Sequence, residues 1–188
     1  MPARGVRERH SRGASDWIVG MKIVDLGRLT DEERAELEGD ECDPFDAAGV
    51  TLQFRPKDRH VALRDGGRLV ASAGLTATDV EIAGRRFAVV GLGGVIVNAD
   101  YRGSGLARRV VEAALIRAAG TGLPFVLLFC HQDRAGLYER LGFVTIASPV
   151  SVKQPQGYEP MTQRAMSKAL EAGVSWPPGN VTVHDLPF

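Results

Sequence analysis

The middle of the chain contains a strand, a glycine-bearing turn, a helix and a second strand in immediate succession. The apolar run "FAVVGLGGVIV" ends at residue 97, and "RGSG" follows at residues 102–105. From Gly105 to Ala119 apolar side chains recur at the spacing of one helix face, and "FVLLF" at residues 125–129 is continuously apolar. A strand buried on both faces that follows a helix in this way is typical of a parallel crossover. The succession predicts an α/β fold.

Around this crossover the sequence predicts mostly antiparallel strands. The turns "DGG" and "AGR" separate apolar runs at residues 60–64, 68–75, 78–82 and 86–97, so that two hairpins are expected. Thr30 and Glu33 have the spacing of a capping box, which predicts a short helix after the strand "MKIVDL". A second helix is predicted over residues 134–141. Residues 162–170 fit a strand or a helix equally well.

Length and composition predict one domain. The chain has 188 residues and a formal net charge of zero, which gives no reason to expect nucleic acid or a membrane surface as a partner. Cys42 and Cys130 are too far apart for a zinc motif and predict no disulfide framework, as in a reduced cytoplasmic protein without a metal. Residues 1–20 lack apolar periodicity, so we expect a flexible extension there and a single domain over residues 21–188.

The segment "RGSGLA" at residues 102–107 has the composition of a phosphate-binding loop. Gly103 and Gly105 permit a tight turn, and the amides that begin the next helix point outward at its positive end. A Walker loop is excluded because no lysine lies nearby, and a dinucleotide fingerprint is excluded because the third glycine is missing. From these residues alone, a phosphate cradle and a plain strand-to-helix turn both remain open.

Two ordered blocks resemble the GNAT superfamily of acyl-CoA-dependent N-acyltransferases. "VNADYRGSGLARRVVEAAL" is similar to its Arg/Gln-x-x-Gly-x-Gly/Ala motif, which is filled by Arg102, Gly105 and Ala107. "DRAGLYERLGF" at residues 133–143 is similar to its second signature through Tyr138, Gly142 and Phe143, with Asp133 where the family usually has asparagine.

The resemblance implies a fold, a co-substrate and a reaction. The expected fold is a mixed, mostly antiparallel central sheet with a V-shaped splay between two central parallel strands, flanked by helices. Acetyl-CoA would be the co-substrate, with its acetyl group passed directly to an amine in a ternary complex. Tyr138 would be the catalytic acid for the leaving thiolate. The residues implied to bind the co-substrate are Val95, Ile96, Val97, Arg102, Gly103, Ser104, Gly105, Leu106, Ala107 and Asp133.

The general base of many relatives is a glutamate in the strand before the loop, and this chain lacks one there. Gly91, Gly93 and Gly94 occupy that stretch, which indicates a bulge or a close approach of another group to the backbone. Water, the backbone or an acid from elsewhere remain open as the base. The acid or histidine candidates are Glu81, Asp46, Asp43 and His131.

The acceptor is predicted to be a small-molecule amine, and a homodimer is kept as an expectation for the assembly. A weaker resemblance to the aminoglycoside 2′-N-acetyltransferase branch adds an acidic mouth formed by Asp40, Glu41, Asp43 and Asp46, with Asp43, Asp46 and Glu81 as substrate-binding candidates. A solvated acidic loop explains these residues as well. Acetylation of protein N-termini or lysines, and a non-catalytic acyl-CoA-binding module, are the alternative functions.

Overall fold

The computed structural model describes residues 20–45 and 48–188. The predicted extension falls almost wholly outside the described residues. The helices are α1 (Asp31–Glu38), α2 (Leu106–Ala119) and α3 (Ala135–Arg140). The strands are β1 (Lys22–Leu26), β2 (Arg59–Asp65), β3 (Arg68–Ile82), β4 (Arg85–Val97), β5 (Phe125–Cys130), β6 (Val144–Thr145), β7 (Val150–Gln154), β8 (Gly157–Pro160), β9 (Arg164–Ala169) and β10 (Val181–Val183).

All the described strands join one curled, mixed sheet. Its main order is β6-β9-β5-β4-β3-β10-β7-β8, and β1 pairs with β2 beside the first half of β3. The pairs β4–β5 and β10–β7 are parallel, and the other pairs are antiparallel. The prediction of a mixed, mostly antiparallel sheet flanked by helices is confirmed, with a second parallel pair that the sequence did not indicate.

Three hydrophobic clusters cover the two faces of this sheet. On one face α2 buries Leu106, Val110 and Val111, which pack with Leu92 and Tyr138 into the larger cluster. On the other face α1 covers a small cluster around Leu37 and Ile96, and the C-terminal segment covers a third cluster that contains Phe188. The two faces therefore have different covers, α2 and α3 on one side and α1 with the end of the chain on the other.

Several boundaries differ from the sequence prediction. The runs at 68–75 and 78–82 form one strand, β3, because β4 pairs with it continuously from Gly74 to Ile82. Residues 164–169 are a strand because β5 pairs with them along their whole length. Strand β10 is short and gains its hydrogen bonds from β3 and β7, which are distant in the chain, so no local pattern revealed it. Strand β8 is a four-residue strand that forms a hairpin with β7, which was also not predicted. The capping box on α1 is formed as predicted.

Candidate active site

A groove opens where the parallel strands β4 and β5 separate. The two strands pair only where Val90–Leu92 of β4 lies beside Val126–Leu128 of β5. Immediately afterwards the β3–β4 register shifts between Ser72 and Gly74, and Gly94 has φ +58°. A bulge of this kind bends its strand away from its neighbour. The predicted splay is present, and the bulge anticipated from the glycines lies at Gly94.

The edge of β4 beyond the bulge faces this groove. Ile96 and Val97 pair with β3 on one side, and no strand pairs with Val95–Val97 on the other side among the described residues. The carbonyl oxygen of Val97 accepts a bond from Nε of Arg102 at 3.2 Å. This unpaired edge offers main-chain groups to an extended ligand.

The "RGSG" loop lies at the mouth of the groove and begins α2. Gly103 and Gly105 have φ of +75° and +82°, and a Cβ at either position would meet nothing within 4 Å. Ser104 donates its hydroxyl proton to the carbonyl oxygen of Tyr101. The first amides of a helix have no intrahelical acceptor, so the start of α2 presents free N–H groups beside open space. This arrangement fits a pyrophosphate.

Arg102 is held by an acidic residue from the predicted mouth. Its guanidinium binds both carboxylate oxygens of Glu41, one at 2.7 Å. Its Nε donates to Val97 as above. The pair ties the segment after α1 to the loop, so Glu41 serves the loop and is not free to attract a cationic acceptor.

Tyr138 lies in α3 across the groove, next to Cys130 at the end of β5. Its side chain is 7% exposed, and its ring packs edge-on against Phe143 at 5.8 Å. Burial raises the pKa of Tyr138 far above its usual value. Among the described residues its hydroxyl has no hydrogen-bond partner, yet it is not sealed from solvent. Tyr138 therefore carries an available proton at any ordinary pH.

Cys130 is a neutral thiol in this setting. It is 6% exposed, and its sulfur lies 3.9 Å from that of Met166. Burial raises the pKa of Cys130 to about 11. Because the thiolate is the reactive form, Cys130 is poorly suited to act as a nucleophile.

Groups from distant parts of the chain fill the space beside the glycines of β4, where side chains would otherwise lie. A Cβ at Gly91 would lie 2.7 Å from the ring of Phe188, and one at Gly93 would lie 2.6 Å from its carbonyl group. The stem of Lys57 lies against Gly93 and Gly94. Phe188 and Lys57 are the residues that sequence reasoning missed. The terminal "VTVHDLPF" alternates as a strand does, but nothing local marked Lys57.

A cavity of about 400 Å³ lies between α1, the segment at residues 54–57 and the bulge of β4. Arg34 and Glu38 of α1 and His60 of β2 line it, together with Gly94 and Ile96 of β4. Because Gly94 also marks the point where the groove opens, the cavity meets the groove at the bulge. The cavity therefore lies on the face of the sheet that α1 covers.

The predicted acidic residues are not gathered in this cavity. The carboxylate of Asp43 accepts a bond from the amide of Ala48 at 2.8 Å, and Asp46 lies outside the described residues. In the ladder between β3 and β4, Glu81 lies opposite Arg86, whereas Gly74 lies opposite Gly93 beside the bulge. Glu81 is therefore seven residues along β3 from Gly74, which places it roughly 23 Å from the bulge. Glu38 is the one carboxylate on the described wall of the cavity.

Two further predicted residues lie near the end of β5. His131 follows Cys130, and its Nε2 lies 3.3 Å from the side-chain amide of Gln163. Asp133 is exposed in the turn before α3 and pairs with its neighbour Arg134 at 3.1 Å. Neither side chain lines this cavity.

In residues 20–45 and 48–188 there is no group of three or more His, Cys, Asp or Glu side chains that could hold a metal ion. None of the helices described is both long enough and apolar enough to cross a membrane.

A splayed parallel pair whose first strand leads through a glycine loop into a helix defines the acyl-CoA-dependent N-acyltransferase class of fold. The sequence agrees with this class. Residues 47–146, slightly more than half of the chain, match the family model described as "Acetyltransferase (GNAT) domain". The chain belongs to the GNAT acetyltransferase family.

Solved structures share the fold at low sequence identity. The GNAT family N-acetyltransferase YhbS from Escherichia coli, in complex with CoA, is 21% identical with a TM-score of 0.54, covering 94% of each chain. A GNAT family acetyltransferase from Brucella melitensis, in complex with acetyl-CoA, is 18% identical with a TM-score of 0.52, covering 87% of this chain and 96% of that one. Escherichia coli ElaA is 17% identical with a TM-score of 0.54, covering 79% and 99%. No curated protein matches the sequence.

Proposed function

We propose that this protein is an acetyl-CoA-dependent N-acetyltransferase that acetylates the primary amine of a small molecule in a ternary complex. One observation carries the proposal: β4 and β5 separate after Leu92 and Leu128, with the Gly103–Gly105 loop following β4 and the helix of Tyr138 following β5, and the bulge at Gly94 also lines a cavity. Family membership supports it, as do the CoA and acetyl-CoA bound by two proteins of the same fold.

The residues along the groove suit the parts of CoA in order. The amides of residues 103–107 would bind the pyrophosphate, and the open edge of β4 at Val95–Val97 would bind the pantetheine arm as a strand binds a neighbour. Open space at the Cβ positions of Gly103 and Gly105 leaves room for the phosphates. When bound, acetyl-CoA supplies the activated thioester. Asp133, at the far side of the groove, is the remaining contact in this proposal.

Tyr138 is proposed to donate a proton to the leaving sulfur. An ordinary thiol has a pKa of ~8.5 and an ordinary phenol one of ~10. Burial raises the pKa of Tyr138 further, so full proton transfer from Tyr138 to the thiolate is more uphill than the same transfer in water. A hydroxyl fixed beside the sulfur can donate a hydrogen bond as negative charge develops there. The packing of the ring against Phe143 holds that position.

Direct transfer is favoured over a covalent enzyme intermediate. The nearest thiol to Tyr138 in the groove wall is Cys130, whose raised pKa keeps it protonated. Nucleophilic catalysis would need an activating base beside it, and Met166 is its hydrogen-bonding neighbour instead. The amine itself is therefore proposed to attack the thioester.

The amine is proposed to lose its proton to water in the cavity. Phe188 and Lys57 occupy the space over Gly91 and Gly93, where a glutamate would otherwise stand. The rate should therefore rise with pH as the fraction of neutral amine increases. The limited size of the cavity favours a small acceptor over a protein chain. A homodimer and a cytoplasmic location stay predictions.

Release of CoA thiol with acetyl-CoA and a panel of primary amines tests the proposal. We expect amine-dependent thiol release together with a product whose mass is increased by one acetyl group. Binding of CoA without release for any amine would favour the non-catalytic module. Acetylation of peptides in preference to every small amine would favour the protein acetyltransferase.

A further inference from the structure

The acceptor cavity has a positively charged wall. Four cationic side chains line it (Arg28, Arg34, Arg55 and Lys57), against the single carboxylate of Glu38. This charge is the opposite of the acidic mouth expected from the sequence. A cationic wall disfavours a polycationic acceptor and favours an anionic one.

Two of the four cations are neutralised by the protein. Asp58 lies 3.1 Å from Arg55 and 3.4 Å from Arg28, and Asp185 lies 3.1 Å from Arg55. These pairs fasten the segment at residues 55–58 to the C-terminal segment. Arg28 and Arg55 therefore shape the cavity but leave little uncompensated charge in it.

The other two cations have no ion-pair partner within the described part of the chain. Arg34 is exposed on α1, and Lys57 is half-buried with its stem against Gly74 and Gly93. The groups that face Lys57 are Arg34 and Glu38 from α1, His60 from β2 and the main-chain carboxyl group of Phe188 beside Gly93. Burial, and then the charge of Arg34, lower the pKa of Lys57 to about 8. Because burial and Arg34 disfavour the charged form of Lys57, a bound anion would stabilise this ammonium more than it would an exposed one.

We infer that Arg34 and Lys57 form an anion subsite, and that the acceptor is a small primary amine that also carries a carboxylate or phosphate group. The inference rests on the proposed acetyltransferase function. Lys57 adjoins Gly94, where the cavity meets the groove, so an anion held there leaves the amine of the same molecule within reach of the thioester. Phe45 and Phe54 line the same cavity and can cover an apolar linker between the two groups.

Calorimetric titration of succinate and of inorganic phosphate into the CoA-saturated protein tests the subsite without knowledge of the acceptor. Because bound CoA is proposed to occupy the phosphate-binding loop at residues 103–107, saturation with CoA keeps the added anions from binding there. We expect at least one of the two anions to bind, and Lys57→Met and Arg34→Gln each to weaken it by about tenfold or more, as for a lost charge-assisted hydrogen bond. Lys22→Met, on exposed β1, is the control and should bind normally.

Absence of anion binding, or binding that both cavity variants retain, would overturn the inference. Arg34→Gln guards against a folding defect because Arg34 is exposed. Comparison of succinate with phosphate distinguishes the two anionic groups. The affinity for the anion should also decrease above pH 8, because Lys57 loses its proton there.

A matched amine panel separates the subsite from the reaction. 4-Aminobutyrate is compared with butylamine, and 3-aminopropyl phosphate with propylamine, by thiol release. We expect the anionic member of at least one pair to have roughly tenfold higher kcat/KM, with the advantage lost in Lys57→Met. Equal rates within both pairs would overturn the inference and leave the acetyltransferase standing. Lys57-dependent anion binding without any thiol release would leave the anion subsite standing but overturn the acetyltransferase, and with it the assignment of the acceptor.

Discussion

At the scale of single residues, Tyr138 combines burial with an unpartnered hydroxyl. Sequence similarity placed it correctly in a helix after β5. The structure adds that its ring is fixed by Phe143 and that its raised pKa keeps the proton on the oxygen. A core tyrosine with a purely structural role usually finds a hydrogen-bond partner. The unused hydroxyl is therefore the feature that supports the acid role.

Tyr138→Phe should lower kcat by about 10²-fold or more, since it removes only the proton donor. The affinity for CoA and the KM for the amine should change little, because the ring remains in place. Steady-state thiol release and CoA titration measure these quantities. Tyr158→Phe, in β8 at the outer edge of the sheet, is the control. Unchanged turnover in Tyr138→Phe would show that the hydroxyl is not the acid.

His60 gives the fold a defined acid sensitivity. It is 8% exposed, its Nδ1 lies 3.1 Å from the hydroxyl of Ser72, and burial followed by the charges of Lys57 and Arg34 lowers its pKa from 6.5 to about 4. Between those values the unfolded chain binds a proton that the folded chain refuses. Stability contributed by neutral His60 is thus complete above pH 6.5 and is lost as pH falls towards 4.

The free energy of unfolding should fall by at most about 1.4 kcal/mol per pH unit in this window on account of His60. Urea unfolding at pH 7, 6, 5 and 4 measures it. His60→Gln should flatten the profile. Parallel profiles for the parent and His60→Gln would contradict the assignment.

At the scale of elements, the glycine loop and α2 act as one unit. Residues 102–107 were interpretable from sequence because the requirements there are local: a positive φ at Gly103 and Gly105, and free amides at the start of a helix. The sequence pattern did not distinguish a phosphate cradle from a plain strand-to-helix turn. The structure favours the cradle because the loop lies at the mouth of the β4–β5 splay, a relation between strands that no local pattern encodes.

Gly105→Glu should abolish measurable CoA binding, because a carboxylate would stand where the pyrophosphate is proposed to lie. The new side chain has open space and φ is +82°, so strain alone is moderate. Gly122→Glu is a matched control, with φ +72° and equal open space at the other end of α2. CoA titration should distinguish the two variants. Tight binding by Gly105→Glu would refute the placement of the cradle.

At the scale of the whole molecule, the end of the chain completes the acceptor face. Strand β10 pairs with β3 and β7, and the segment after it brings the ring of Phe188 onto Gly91 and against Phe129 at 5.2 Å. Gly91 can have no side chain while Phe188 is there. The glycine and the phenylalanine, 97 positions apart by their numbers, form one packing unit.

Gly91→Ala should therefore destabilise the fold by about 1–3 kcal/mol through overpacking, and Phe188→Ala by about 3–5 kcal/mol through a cavity. Denaturant unfolding of both single variants and of the double variant measures the coupling. The double variant should be more stable than the sum of the two losses predicts, because the new methyl group enters the space left by the ring. Strict additivity would contradict the contact.

Features that depend only on neighbouring residues could be predicted from the sequence. The amphipathic α2, the capped α1, the two hairpins and the loop at residues 102–107 follow from periodicity, capping and glycine conformation. Two motifs with fixed spacing then indicated the family. Only the tertiary structure decided that Phe188 and Lys57 fill the glycine face of β4, that Glu81 lies far from the bulge, and that the acceptor cavity is cationic. These features join segments distant along the chain, and their contacts arise from packing that no local pattern of residues specifies.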